Sequence, residues 1–126
     1  MGESNKDTHV LAMESDIGDI KISDDAIAVI AGIAATEVDG VDSMAGGITS
    51  ELIGKLGVKN LSKGVDISVE DEKVMVDISL NIKYSYNIPE VSEKVQEKVK
   101  VAIENMTGLE VTAVRIRIAG VNVPQT

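Results

Sequence analysis

From Gly64 to Gly120 the chain alternates apolar and polar residues in three runs, with a tight turn between the first two and a capped helical stretch before the third. Val65, Ile67 and Val69 alternate with Asp66, Ser68 and Glu70; after Asp71-Glu72-Lys73 the alternation resumes with Val74, Val76, Ile78, Leu80, Ile82 and Tyr84. A period of two sends these side chains to one face of an extended ribbon. The residues between them, Met75, Asp77, Ser79, Asn81, Lys83 and Ser85, are mostly polar. One face is therefore buried and the other wet, as in an antiparallel sheet covered on one side only.

The cover comes next. Ile88, Val91, Val95, Val99, Ala102, Ile103 and Met106 recur at three- and four-residue steps, the stripe of a helix that buries one side. Asn87 and Glu90 have capping-box spacing, Pro89 sits in the first turn where its missing N–H is harmless, and Gly108 closes the helix. Its outer face carries Glu93, Lys94, Glu97, Lys98 and Lys100, the two glutamates partly paired to lysines at helical spacing. A final strand sets Val114, Ile116 and Ile118 against Arg115 and Arg117, and Val121 and Val123 continue it to an edge before Pro124.

Upstream, Ile17 to Ile22 reads as a short strand, and Ser23 as the N-cap of a helix whose first turn holds Asp24 and Asp25. That helix runs through Ala26, Ile27, Ile30, Ala31, Ile33 and Ala34, with Gly40 as its stop. Its many small residues favour close packing on a sheet. Val41 to Lys63 is a long connection in which Thr49 or Ser50 caps a short helix carrying Leu52, Ile53 and Leu56, ended by Gly57. Connections this long are uncommon in small domains and often carry function. Residues 1–15, with the lone His9, read as a disordered polar tail ahead of one domain over residues 16–123.

The order β-α-β-β-α-β, with the extra short helix, gives an α+β two-layer sandwich: a four-stranded, mainly antiparallel sheet with both main helices on one face. The expected strand order is the ferredoxin-like 4-1-3-2, with the long third strand central; a meander with helical insertions is the alternative.

Chemistry is harder to find. The 126 residues contain no cysteine, so no disulfide or thiolate site can exist. His9 has no converging ligands nearby, and Asp24 with Asp25 answers the demand of a helix N-terminus for negative charge. No metal, cofactor or catalytic group is expected. A net charge of −9 repels phosphate backbones. No apolar run reaches the roughly 18–20 residues that span a bilayer, and the N-terminus lacks the apolar core of a signal peptide. A soluble cytoplasmic, non-enzymatic protein is expected.

Two places invite a binding function. Arg115 and Arg117 share the open sheet face with Asp77, Asn81 and Lys83, either as a solvated, salt-bridged face or as a recognition surface for an acidic partner. Tyr84 and Tyr86, the only aromatics, either pack the strand–helix corner or form a partner-binding spot. The alternative is RNA: Gly54-Lys55-Leu56-Gly57 matches the Gly-x-x-Gly loop that clamps a nucleic-acid backbone, although the acidic charge opposes it. The Walker spacing is not met. The strand edge near Val121 and Val123 makes a homo-oligomer the expected assembly.

An ordered set of short motifs adds a family likeness. It comprises Gly18-Asp19-Ile20-Lys21-Ile22-Ser23, Ala34-Ala35-Thr36-Glu37-Val38-Asp39-Gly40-Val41, Met44-Ala45-Gly46-Gly47, Lys63-Gly64-Val65, Ile88-Pro89-Glu90-Val91 and Met106-Thr107-Gly108-Leu109-Glu110-Val111. Over residues 17 to 123 the chain resembles the alkaline-shock, or envelope-stress-response, family of Gram-positive bacteria. The resemblance implies a cytoplasmic protein without known enzymatic activity, tied to cell-envelope homeostasis. It also implies partners: a membrane-anchored member of the same family, further copies, or, in the branch most like this chain, a link to fatty-acid supply through acetyl-CoA carboxylase. Two departures stand out. Ser85 follows Tyr84 where glycine is common, and Arg115 and Arg117 stand where Asn and His are common.

Overall fold

Ser23 begins the first helix as a side-chain cap: its hydroxyl accepts the Ala26 N–H at 3.1 Å, with Asp24 and Asp25 in the first turn. The computed structural model describes residues 8–11, 20–45 and 63–123. In chain order the elements are β1 (Thr8–Leu11), β2 (Ile20–Ser23), α1 (Asp24–Thr36), β3 (Val41–Met44), β4 (Val65–Glu70), β5 (Lys73–Lys83), α2 (Ile88–Thr107) and β6 (Glu110–Asn122). The short helix expected between Thr49 and Gly57 lies outside the described residues.

β5 is the spine of the sheet. One of its edges carries β6 in parallel along the whole strand, from Lys73↔Glu110 to Lys83↔Asn122. The other edge is shared end to end by two strands, both antiparallel to it. β4 pairs Val65↔Ile78 through Glu70↔Lys73, and β3 pairs Val41↔Ile82 through Met44↔Leu80. Ser79 joins them: its carbonyl accepts the Ala45 N–H at 2.9 Å and its N–H donates to the Gly64 carbonyl at 2.8 Å. β3 and β4 are thus two halves of one strand line, interrupted between Ala45 and Gly64.

This architecture is the α+β sheet with two helices expected from sequence, with two corrections to its wiring. The strand order 4-1-3-2 does not hold: β2 leaves the main sheet and pairs with β1 in a separate antiparallel ribbon, Thr8↔Ser23 to Leu11↔Ile20. That ribbon draws Thr8–Leu11, within the stretch read as a tail, into a paired strand. The longest pairing, β5 with β6, is parallel. Parallel neighbours need a crossover, and the 20-residue α2 supplies it.

α2 forms as its sequence dictates. Asn87 Oδ1 accepts the Glu90 N–H at 2.9 Å, Pro89 lies in the first turn, and Gly108 takes the left-handed conformation (φ 79°) that ends the helix. α1 stops earlier than Gly40. Its last residue is Thr36 and Glu37 is the cap. Gly40, at φ 101°, instead turns the chain into β3.

The core lies between the sheet and both helices. Val74, Val76, Ile78, Leu80 and Ile82 of β5 are all buried, against Ile27, Ala31 and Ala35 of α1 and Val91, Val95, Val99 and Ile103 of α2. The small side chains of α1 let the two helices lie beside each other over one face. Ile88 and Met106, read as part of the α2 stripe, are exposed. They lie in the helix's first turn and next to its last residue, at the limits of the surface it covers.

Ser85 sits in the β5–α2 turn at φ 79°, a left-handed conformation that strains any residue with a Cβ. Ser85→Gly is expected to stabilise the fold by about 0.5–1 kcal/mol, seen as a higher thermal midpoint. An unchanged or lowered midpoint would show that the turn is relaxed as it stands.

Candidate interaction face

The alternation that buries one face of β5 leaves Met75, Asp77, Ser79, Asn81 and Lys83 on the other, and no described element covers them. β6 extends this surface. Its parallel register places Arg115 beside Asp77 and Arg117 beside Ser79. β4 extends it on the opposite side, with Asp66 beside Asp77 and Ser68 beside Met75. The result is one polar, pleated platform.

Cross-strand side-chain bonds stiffen the platform. Arg115 grips Asp77 with two parallel bonds, Nε to Oδ1 at 2.6 Å and Nη2 to Oδ2 at 3.1 Å, the planar fork that lysine cannot make. Both partners are exposed, so the pair sets orientation more than stability. Asn81 donates to the Ser43 hydroxyl at 3.0 Å across β5 and β3. Asn122 Nδ2 donates to Asp42 at 3.0 Å, tying the end of β6 to β3. The expected cluster of Asp77, Asn81, Lys83, Arg115 and Arg117 is therefore brought onto one face. Arg117 and Lys83 make no ion pair among the described residues.

Tyr84 and Tyr86 part company. Tyr86 packs the corner: its hydroxyl donates to Asp39 at 3.1 Å, and its ring lies over Gly40. The hydrogen bond to the Asp39 carboxylate, with that group's negative charge, raises the Tyr86 pKa above its ordinary value. Tyr84 is 56 % exposed and lies just past the end of β5, its N–H donating to the Asn122 carbonyl at 3.1 Å. Gly54, Lys55 and Gly57, the loop offered for RNA, lie outside the described residues.

The sequence did not point to a groove beside α2. A groove of about 870 Å³ runs between α2 and the start of β6, floored by Val101, Ala102, Val111 and Val114 and rimmed by Lys94 and Glu97. Gln96 Nε2 crosses it to donate to the Val114 carbonyl at 2.9 Å. Nearby, Glu104 Oε2 accepts the Val111 N–H at 3.0 Å. These helix side chains occupy outward backbone groups of β6 that a neighbouring strand would otherwise meet. Only the bulge after Val111 (no alternation marks it in the sequence) reveals how the strand turns its edge to α2. Among the described residues no group of histidines, cysteines or carboxylates could hold a metal ion. No described helix is long and apolar enough to cross a membrane.

The sequence pattern of the alkaline shock protein family, described as having a cell envelope-related function, matches residues 12–123. The Bacillus subtilis (strain 168) protein YqhY is 34 % identical over 119 residues, covering 92 % of this chain and 88 % of that protein. YloU of the same organism is 35 % identical over 115 residues, covering 90 % of this chain and 96 % of its own length. A Streptococcus pyogenes serotype M3 (strain ATCC BAA-595 / MGAS315) protein named as a stress response regulator gls24 homolog is 27 % identical over 105 residues, covering 82 % of this chain and 59 % of that protein.

Proposed function

The chain belongs to the alkaline shock protein family, whose function is related to the cell envelope, and on that premise we propose that it works by holding protein partners against the bare face of its sheet, without chemistry of its own. The observation that carries this reading is the platform. Both helices seal one face, and the other is left polar and fixed by the Asp77–Arg115, Ser43–Asn81 and Asp42–Asn122 bonds. Side chains locked before binding lose less freedom on docking, so the ordering cost of association falls. Lys83 stands at the β3 end of the platform, and Tyr84 follows it in the turn between β5 and α2. One is a cation without an ion pair among the described residues and the other an exposed ring, of the type that anchors interfaces.

Two partner classes follow from the family likeness: a membrane-anchored protein of the same family, and an enzyme of lipid synthesis, with acetyl-CoA carboxylase the first choice. Affinity capture from native lysate tests this directly. The unmodified chain is expected to enrich carboxylase subunits or an anchored relative, and Lys83→Glu with Tyr84→Ala to lose at least about tenfold of that enrichment, matching loss of an interface anchor of about 1.4 kcal/mol or more. Equal capture by the variant would remove the platform from the interaction. Enrichment of neither class would remove the partner assignment.

A further inference from the structure

The main sheet has two outer edges that meet no other strand among the described residues, β6 on one and β4 and β3 end to end on the other. β6 pairs only β5, and so does β4. An unpaired edge is a row of hydrogen-bonding groups that can accept another strand. The chain protects the start of the β6 edge, where Glu104 takes the Val111 N–H and Gln96 the Val114 carbonyl. Past Val114 no such cover exists among the described residues, and in a parallel ladder the outward groups on this edge belong to Ile116 and Ile118. On the β4 side, Ser79 bonds both Ala45 and Gly64, which fixes the alternation so that Ile67 and Val69 point their backbone groups outward.

Charge separates these two edges. On the open face β6 carries Arg115 and Arg117, while β4 carries Asp66, Ser68 and Glu70. Pairing β6 with β6 would bring arginines together, and pairing β4 with β4 would bring carboxylates together; like charges directly opposite destabilise a ladder. Pairing β6 with β4 joins opposite signs. The direction also fits: β6 is parallel and β4 antiparallel to β5, so two copies laid side by side in the same orientation present antiparallel edges. On the helix-covered face, Ile116 and Ile118 of β6 and Ile67 and Val69 of β4 are only half-buried and packed on the core's margin. A neighbouring strand would complete the burial of both sets.

We propose that the β6 edge of one copy receives the β4 edge of a second copy, extending the sheet head to tail. In the register that sets Ile116 opposite Ile67 and Ile118 opposite Val65, Arg117 faces Asp66 at a closely spaced, non-hydrogen-bonded position; Val69 falls opposite Val114, whose carbonyl Gln96 holds, and the pairing stops short of it. The contact is heterologous, so each copy keeps one edge free for the next. It uses the sheet's margins and leaves Lys83 and Tyr84 outside the contact.

Charge exchange tests it. Arg117 and Asp66 are both exposed and make no ion pair among the described residues, so the variants are expected to keep the native circular dichroism. The unmodified chain is expected to sediment as concentration-dependent oligomers. Arg117→Asp or Asp66→Arg alone should raise the concentration needed at least about tenfold, and the double variant should restore it. Because the chain has no cysteine, Arg117→Cys mixed with Asp66→Cys should give a disulfide between copies that neither variant gives alone. A monomer at every concentration, oligomers indifferent to Arg117→Asp, failure of the double variant to recover, or a disulfide from Arg117→Cys by itself would each overturn the proposal. Capture of partners through Lys83 and Tyr84 is read separately, so either idea can fail alone.

Discussion

Gly40→Ala is expected to remove about 3–5 kcal/mol of stability, a large share of the roughly 5–15 kcal/mol that holds an ordinary domain folded. Two independent costs add. At φ 101° any side chain strains the backbone, which costs of order 1–3 kcal/mol. The new methyl would also lie 2.7 Å from Cδ2 of Tyr86 and 2.7 Å from Cγ2 of Val91. The tyrosine ring is 40 % exposed and can swing outward; Val91, at 3 %, is held in the core and cannot. The backbone has little freedom to retreat, because the Gly40 carbonyl accepts the Lys83 N–H at 2.8 Å and anchors the start of β3. Denaturant titration of Gly40→Ala and of Gly40→Ala with Tyr86→Ala separates the causes. The double variant should regain only the Tyr86 share of the clash. A loss below about 1 kcal/mol in the single variant would show that neither the turn nor the contact is as tight as the geometry requires.

Leu80→Ala is expected to cost about 3–5 kcal/mol. Leu80 is fully buried in the spine strand, with Met44 across from it on one side and Ile118 on the other. A cavity there is walled by a strand on each flank and helices above, so collapse into it is limited. Met75, in the same strand but on the opposite face and 39 % exposed, is the control. Met75→Ala should stay within about 1 kcal/mol of the parent. Equal losses at the two positions would mean that the two faces of β5 are not differently covered, and the platform would vanish with that distinction. The reading of one dry and one wet face rests on this contrast.

Local signals in the sequence carried far. The Ser23 and Asn87 caps, the Gly108 stop and the alternation from Val74 to Ile82 all concern residues within a few positions of one another, where chain geometry decides the outcome. Pairing partners are a different kind of information. Val114, Ile116 and Ile118 alternate identically whether β6 runs with β5 or against it, so periodicity cannot distinguish the observed parallel register. β2, four residues long, looks as good a sheet member as any short strand, yet it finds β1 instead. β3 was hidden for a further reason. Val41-Asp42-Ser43-Met44 buries its first, third and fourth residues across a register shift, a pattern with no clean period. Of the candidate face, the sequence showed which residues share a side. It could not show that Asp42 and Ser43 reach across from β3 to brace Asn122 and Asn81, because 80 and 38 positions separate those partners.

The meeting of Ala45 and Gly64 over Ser79 has a consequence for how this domain can diversify. The main chain leaves the sheet and re-enters it at one doorway, so the intervening stretch is a guest whose length the host scarcely feels. Doubling such a closed excursion costs only about 0.6 kcal/mol of chain entropy. Relatives built on the same sheet can therefore trade one excursion for another while the scaffold stays unaltered.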